Sequence, residues 1–281
     1  MGFFIALYGV AAYAAFLATF LYAIGFVANL AVPKSIDIGL PMGGAGESLA
    51  VSLLVDVLLL GLFAIQHSVM ARPGFKRWWT RFVPKPMERS TFVLLASASL
   101  ALLFVQWRPL NAMVWDLSDS FAGALLVALC GAGWGLVLAS TFQIDHFELF
   151  GLKQVWARFT GRALPVPEFR VPLFYRHVRH PIYLGFMLAF WSTPVMSAGH
   201  ALFAVATSGY ILIGIWFEER DLVAQFGQRY RDYRRQVGML LPRVFRKSAQ
   251  LRQNTPAPGQ FLEVPCDNDR NDIPVRTLPT R

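Results

Sequence analysis

Long apolar runs are the feature that most constrains this chain. Four are clear, at residues 3–32, 49–70, 91–106 and 121–142, and a fifth extends over residues 181–217. A helix that crosses a bilayer needs about 20 mostly apolar residues, because hydrocarbon offers no hydrogen bonds to a free backbone. The runs therefore predict membrane-spanning helices, and they exclude an ordinary soluble enzyme, a disordered protein and a disulfide scaffold.

The composition agrees with this prediction. Of the 281 residues, 55% are hydrophobic and 15% are charged, whereas soluble domains average about 45–50% and about 25%. Two cysteines, Cys130 and Cys266, are too few for a disulfide framework or a four-cysteine zinc site, and we expect no metal. The formal net charge of +9 would indicate nucleic acid in a soluble protein. Here membrane orientation explains most of that charge, so we expect no nucleic-acid partner.

The fifth apolar run is too long for a single span. Thr193-Pro194 and the segment 197–200 interrupt it, and we therefore expect a helical hairpin of two short spans. The predicted fold is all-α, an integral-membrane helical bundle of about six spans. Residues 1–243 form one transmembrane domain in this interpretation. The segment 244–281, rich in Pro, Asn and Asp, is predicted to be a disordered cytoplasmic tail.

The basic residues alternate from loop to loop. Segments 71–90 and 144–179 hold six lysines and arginines each, and segment 218–281 holds twelve, out of 26 in the chain. The two that remain, Lys34 and Arg108, lie in the intervening loops. Because cytoplasmic loops of membrane proteins are enriched in Lys and Arg, this pattern predicts that both termini are cytoplasmic.

Ionisable and polar groups cluster where the predicted spans end. Such groups are costly in a membrane, so each one is a candidate for function. Four spans bring them to the same leaflet: His67, Asp145, His146, Arg179, His180, Tyr183, Glu218 and Glu219. Interfacial anchoring is the alternative for the histidines and the tyrosine.

The segment from Arg179 to Gly185 predicts a helix start that suits an anion. Pro181 is favoured in the first turn of a helix, whose free N–H groups and positive dipole attract a carboxylate. Arg179 and His180 flank that end, and Tyr183 shares a face with His180. Gly185 allows a neighbouring helix to approach closely. The alternative is a simple helix start with interfacial anchors.

Glu219 is the sharper of two adjacent carboxylates. If the sixth span continues as a helix, Glu219 lies at the centre of an apolar stripe and Glu218 at its edge. The stripe consists of Val223, Phe226, Tyr230, Tyr233 and Val237. A carboxylate on such a face needs a positive partner, so Glu219 is a candidate to hold an amino group. The alternative is a structural ion pair with a nearby arginine.

Two other features have structural alternatives. Asp56 lies near the middle of the second run. Three roles are open to it, namely substrate binding, proton transfer and a hydrogen bond to another helix, and the sequence does not choose among them. The glycine-rich segment 131–135 resembles a nucleotide-binding loop in sequence, but it lies inside a predicted span with no preceding strand. Close helix packing by small residues is the better interpretation.

The polar residues at the ends of the last two predicted spans follow the pattern of a known superfamily. Arg179-His180-Pro181-x-Tyr183-x-Gly185, followed by Glu218-Glu219, Tyr230-x-x-Tyr233 and Pro242, resembles the isoprenylcysteine carboxyl methyltransferase and phospholipid methyltransferase superfamily. These integral-membrane enzymes use S-adenosylmethionine. The resemblance implies a catalytic part at about residues 143–243. It also implies a cofactor site of Arg179, His180, Tyr183, Gly185, Glu218 and Glu219.

A closer resemblance covers most of residues 60–242. Segments 66–72, 88–91 and 147–155 are similar to those of the bacterial methanethiol S-methyltransferases, and the N-terminal half is similar to the NnrU family of membrane proteins. The resemblance to the methanethiol S-methyltransferases implies methylation of the small thiol methanethiol to dimethyl sulfide. It also implies a bacterial inner membrane, with the active site facing the cytoplasm.

The catalytic base and the substrate stay open from the sequence. His67 and His146 are candidates because imidazole titrates near neutral pH, and Asp145 adjoins the second of them. The alternatives are methylation of a phospholipid amine or an isoprenylcysteine carboxylate, and a non-enzymatic NnrU-like role. The sequence leaves the oligomeric state undetermined.

Overall fold

A computed structural model describes residues 2–39, 48–164 and 169–243, so the predicted tail lies outside the described residues. A 3-10 turn covers Phe174–Arg176. The other elements in these ranges are α1 (Gly2–Ala28), α2 (Leu49–Ala71), α3 (Pro73–Trp79), α4 (Lys85–Gln106), β1 (Met113–Asp116), α5 (Phe121–Ile144), α6 (His146–Leu149), α7 (Leu152–Thr160), α8 (Pro181–Trp191), β2 (Val195–Ser197), α9 (Ala198–Phe226) and α10 (Gln228–Gln236).

Within the described ranges, five helices are long and apolar enough to cross a membrane, namely α1, α2, α4, α5 and α9. They leave large apolar side chains exposed, among them Leu7, Leu58 and Ile65 at 55%, 61% and 65% of full exposure. An apolar surface of this extent is unfavourable in water and favourable against lipid chains. The predicted all-α membrane bundle is confirmed.

The fifth apolar run forms a hairpin with unequal arms, and the expected pair of short spans was wrong. α8 has 11 residues and α9 has 29. At 1.5 Å per residue, 11 residues rise roughly 16 Å, about half of the hydrocarbon thickness. The chain then continues as β2, which pairs antiparallel with β1. That pairing supplies backbone hydrogen bonds where the helix has ended.

α5 and α8 pack with their backbones in close contact. A Cβ added at Gly133 would lie 2.6 Å from the Ala189 amide nitrogen and 2.7 Å from the Gly185 carbonyl oxygen. A Cβ at Gly131 or Gly135 would meet open space. Close packing by small residues, predicted for segment 131–135 and for Gly185, is therefore confirmed at Gly133 and Gly185.

The connecting segments gather at two ends of the bundle. One end holds residues 29–39, 107–120 and 192–197. There the Arg108 amide donates to the Asp56 carboxylate at 2.8 Å, and Asp56 is fully buried. Hydrogen bonding to another part of the bundle, one of the three roles considered for Asp56, is the role that the structure shows.

The opposite end is called the basic end below. It holds the segments around residues 72–84, 145–151, 169–180 and 227–243. Arg89 Nε donates to the Leu149 carbonyl at 2.7 Å, and Arg72 approaches the Asp221 carboxylate at 3.4 Å. These contacts join α4 to the α6–α7 segment and α2 to α9. The candidate site lies at this end.

Candidate functional site

The site is built on the start of α8. Pro181 occupies the first helical position and His180 the N-cap, as the sequence predicts. The backbone amides of Arg179 and His180 donate to the carbonyls of Gly238 and Met239 at 2.9 Å and 3.2 Å. The segment that follows α10 therefore lies beside the start of α8, and both meet the basic end of α9.

Glu219 is the centre of a buried ion-pair cluster. Arg179 Nε donates to Glu219 Oε1 at 2.7 Å, and His180 Nε2 lies 3.3 Å from the same oxygen. An Arg234 nitrogen lies 3.5 Å from Glu219 Oε2. The side chains of Arg179, His180 and Glu219 are 8%, 3% and 13% exposed. Both carboxylate oxygens of Glu219 thus have cationic or polar partners within the protein.

Arg179 also fixes the chain after α10. Its terminal nitrogen donates to the carbonyls of Arg234 and Val237 at 3.0 Å and 2.7 Å. A guanidinium that is buried and bonded in this way has a single orientation. Arg179 therefore joins α8, α9 and the end of α10 into one structure.

Glu218 is the more open carboxylate. The Tyr183 hydroxyl donates to Glu218 Oε2 at 2.8 Å, and His180 Nδ1 lies 3.9 Å from that oxygen. The Glu218 side chain is 43% exposed. It is thus oriented by Tyr183 while one side stays open to a ligand with a positive charge.

Three tyrosines adjoin these carboxylates. Burial, followed by the negative charge of Glu218, raises the pKa of Tyr175. Burial, followed by Glu219, raises the pKa of Tyr230, and burial also raises that of Tyr233. All three phenols are protonated and can donate hydrogen bonds. The buried Tyr230 hydroxyl has no hydrogen-bond partner among the residues that the structure describes.

The expected continuous helix from Glu219 to Val237 was wrong. α9 ends at Phe226, and Gly227 has a φ of 58°, which interrupts the helix before α10. Glycine adopts this conformation without a Cβ penalty. The aromatic residues of the predicted stripe still gather, because Phe226, Tyr230 and Tyr233 all pack on the ring of Phe169.

Asp145 and His146 lie in a separate cluster. His146 is 6% exposed, and its Nε2 and Nδ1 lie 2.8 Å from the Tyr13 hydroxyl and from the Thr141 hydroxyl. Burial lowers the pKa of His146. Asp145 caps α6 and pairs with Lys153. Burial opposes ionisation of Asp145, but the hydrogen bonds from Lys153 and Glu148 and the positive charge of Lys153 together outweigh it and lower the pKa of that carboxyl.

His67 lies on α2 and is surrounded by other aromatic rings. Its ring centroid is 5.3 Å from that of Phe63, 4.8 Å from that of Phe92 and 6.3 Å from that of Tyr210. The structure thus brings together Arg179, His180, Tyr183, Glu218 and Glu219. It places Gly185 against α5 and gives His67 and His146 different neighbours. Within the described ranges, no group of three or more metal-binding side chains is suitably placed.

Sequence reasoning missed Arg234 and Tyr175. Arg234 lies four residues after Tyr230, on the same face of α10, so helical spacing from the predicted stripe was a usable signal. Tyr175 lies in the 3-10 turn, and nothing in its local sequence indicates its position. Only the fold brings that turn to the site.

The fold and the site together define an integral-membrane protein with a cluster of charged and polar side chains at one end of a helical bundle. The chain is 53% identical over 254 residues to methanethiol S-methyltransferase 2 of Bradyrhizobium diazoefficiens, covering 90% of this chain and 96% of that protein. It is 55% identical over 238 residues to methanethiol S-methyltransferase of Mycobacterium tuberculosis, covering 84% and 95%. The chain belongs to the methanethiol S-methyltransferase family.

A more distant relative is nurim of Xenopus laevis, which is 32% identical over 165 residues, covering 56% of this chain and 58% of that protein. No family profile matches the chain, and no solved structure matches it. The predicted resemblance to the methanethiol enzymes is confirmed by the extent of these alignments.

Proposed function

We propose that this chain transfers a methyl group from S-adenosylmethionine to methanethiol and forms dimethyl sulfide. The observation that supports this most is the convergence of Arg179, His180 and Tyr183 with Glu218 and Glu219, about 40 residues away along the chain. The relatives named methanethiol S-methyltransferase, aligned over most of both chains, support the substrate.

The residues at the basic end fit such a cofactor. S-adenosylmethionine carries an ammonium, a carboxylate and a sulfonium. The half-open Glu218 carboxylate suits the ammonium, and the tyrosine rings suit a cation by electrostatic attraction to their faces. The buried Tyr230 hydroxyl, which lacks a partner among the described residues, is a donor that a ligand would satisfy.

The roles within the site follow from exposure. Glu218, oriented by Tyr183, binds the ammonium of the cofactor. Free amides in the first turn of α8 and the half-exposed Arg234 attract its carboxylate. Arg179, His180 and Glu219 are positioning residues, because they pair with one another and Arg179 also bonds the backbone after α10.

The cofactor, when bound, supplies an activated methyl group. The chain then has to align the thiol, exclude water and favour the thiolate. Alignment of two reactants contributes about 7–11 kcal/mol in favourable cases. The enclosed site favours reaction by excluding water, and a small apolar thiol reaches it sideways through the bilayer. A membrane location suits a substrate that dissolves in lipid.

The membrane orientation belongs to the same proposal. The basic end carries most of the lysines and arginines, so it faces the cytoplasm by the positive-inside rule. In a bacterial inner membrane, the site then opens to the compartment in which S-adenosylmethionine is made.

The test is an assay on membranes that hold the protein. Membranes are incubated with S-adenosylmethionine and methanethiol, and dimethyl sulfide is measured in the headspace. We expect product from the wild type and from His177→Ala, because His177 is an exposed neighbour that bonds only to the Leu173 carbonyl. We expect none from His180→Ala, which removes a contact of both glutamates.

Cofactor binding separates the other outcomes. If the wild type binds S-adenosylmethionine but makes no dimethyl sulfide, the substrate is another methyl acceptor. Lipid amines and isoprenylcysteine carboxylates are then assayed. If it neither binds the cofactor nor makes product, the non-enzymatic interpretation replaces this proposal.

A further inference from the structure

His67 has a buried nitrogen that the fold leaves unused. Its Nδ1 has no hydrogen-bond partner within the part of the chain that the structure describes. The ring lies where α2, α4 and α9 meet, enclosed by Phe63, Phe92 and Tyr210. We call these three aromatic residues the His67 cage. A buried acceptor without a partner is unfavourable, so its persistence points to a ligand that supplies a donor.

His146, the other candidate base, has no such nitrogen. Its Nε2 lies 2.8 Å from the Tyr13 hydroxyl and its Nδ1 lies 2.8 Å from the Thr141 hydroxyl. Four aromatic rings also surround the imidazole. With both nitrogens engaged and the ring held in place, His146 joins α1, α5 and α6. It therefore stabilises the fold and does not meet a substrate.

The His67 cage lies next to the cofactor residues. Tyr210, one wall of the cage, is close enough to Tyr183 for their phenols to interact electrostatically. Tyr183 in turn donates to Glu218. Further along the same two helices, the Arg72 guanidinium lies 4.7 Å from the centre of the Phe217 ring. α2 and α9 thus run side by side from the cage to the basic end.

We propose that the His67 cage binds the thiol substrate and that His67 Nδ1 accepts its proton. This inference rests on the proposed function. Three aromatic rings suit a small, polarisable sulfur compound, since sulfur makes favourable contacts with aromatic groups. The close approach of three rings to the imidazole also favours a thiol with a short substituent over a lipid or prenyl chain.

The proton step is balanced within the cage. The S–H bond breaks, its electron pair stays on sulfur, and the proton bonds to Nδ1 of a His67 ring that already holds a proton on Nε2. The resulting imidazolium returns one proton to water in each turnover. The thiolate is the nucleophile that takes the methyl group.

The experiment uses two thiols that differ in acidity. His67→Gln should lower kcat/KM for methanethiol by about 10²–10⁴-fold near neutral pH, which is the usual contribution of a positioned base. With trifluoroethanethiol, a similarly small but more acidic thiol, the loss should be clearly smaller. It should also shrink at high pH, because a thiol that is already ionised needs no base.

Two further variants separate a catalytic role from a structural one. Phe92→Leu widens the cage and should raise KM for methanethiol while the Kd for S-adenosylmethionine is unchanged. His146→Gln, the matched control, should cost the same for both thiols. Nitrogen NMR of labelled histidines gives a readout apart from activity: methanethiol without cofactor should shift the His67 signal and leave the His146 signal in place.

The outcomes are distinct. Full activity of His67→Gln, or an equal loss for both thiols at every pH, overturns the role of His67. An inactive wild type overturns the proposed function and this inference with it. An active wild type whose His67 signal ignores methanethiol overturns the thiol site alone.

Discussion

Adjacent carboxylates in this protein have opposite environments. Glu219 is nearly buried and bonded to Arg179 and His180, whereas Glu218 is 43% exposed and bonded to Tyr183. Residues next to each other on a helix point about 100° apart, so one faces the packed segment and the other the open side. The pair therefore combines a structural ion pair with the half-open carboxylate that we propose binds the cofactor.

This difference predicts opposite effects of two matched substitutions. Glu219→Gln should lower the free energy of unfolding by about 3–5 kcal/mol, because it leaves the buried Arg179 without its carboxylate. Glu218→Gln should change stability little but raise the Kd for S-adenosylmethionine about ten- to hundredfold, as expected for a lost charged hydrogen bond. Thermal unfolding in detergent and cofactor titration measure the two effects. The reverse pattern would contradict the assignment.

His146 predicts a pH dependence of stability. Burial lowers its pKa in the folded protein, so as the pH falls below the ordinary value of 6.5 the unfolded chain takes up the proton first. Stability from this group is therefore complete above pH 6.5 and is lost as the pH falls toward the folded-state pKa. Unfolding midpoints measured from pH 7.5 to 5.5 should decline less steeply in His146→Gln than in the wild type. Equal slopes would refute this role.

At the scale of elements, the contact between α5 and α8 holds the site in place. α8 carries His180 at its start and Tyr183 in its first turn, and its backbone packs directly on α5 at Gly133 and Gly185. Any side chain at these two glycines pushes the helices apart. Packing at the centre of the bundle thus determines the geometry at the basic end.

Glycines on α5 allow a matched test of that contact. Gly133→Ala places a methyl group 2.6–2.7 Å from backbone atoms of α8, and overpacking of this kind costs about 1–3 kcal/mol. Gly135→Ala adds the same methyl group in open space and should be neutral or slightly stabilising. Unfolding midpoints in detergent compare them. Equal midpoints would show that the two helices do not pack closely there.

At the scale of the whole molecule, charge sets the orientation and the unequal hairpin completes the bundle. Among the described residues, the basic end gathers the lysines and arginines of segments 72–89, 153–179 and 220–243, while the opposite end holds Lys34 and Arg108. α8 extends from the basic end over about half the depth, and residues 192–197 then connect it to the start of α9 at the opposite end. Both chain termini of residues 1–243 are therefore predicted to lie on the cytoplasmic side.

Cysteine labelling tests this orientation. In a background with Cys130 and Cys266 replaced by Ser, Asp119→Cys lies on an exposed loop at the opposite end, and Gly74→Cys on an exposed helix at the basic end. A membrane-impermeant maleimide should label Asp119→Cys in intact cells, and Gly74→Cys only after permeabilisation. Labelling of Gly74→Cys in intact cells would reverse the predicted topology.

The amino-acid sequence by itself determined the membrane fold, the approximate bounds of α1, α2, α4 and α5, and the family. Apolar runs and the alternation of basic loops are properties of composition along the chain, and a bilayer imposes a fixed length on each span. The start of α8 at Pro181 was also predictable, because the effect of proline is local to its own residue and its immediate neighbours.

Only the tertiary structure decided which charges meet. The sequence offered Glu219 both an amino group and a nearby arginine, and the fold chose Arg179, His180 and Arg234 as its partners. It likewise gave both nitrogens of His146 a partner and left one nitrogen of His67 without a partner among the described residues, although the two histidines look alike in the sequence. Hydrogen bonds form or fail with differences of a few tenths of an ångström in the distance between donor and acceptor. The packing of α5, α8 and α9 sets those distances.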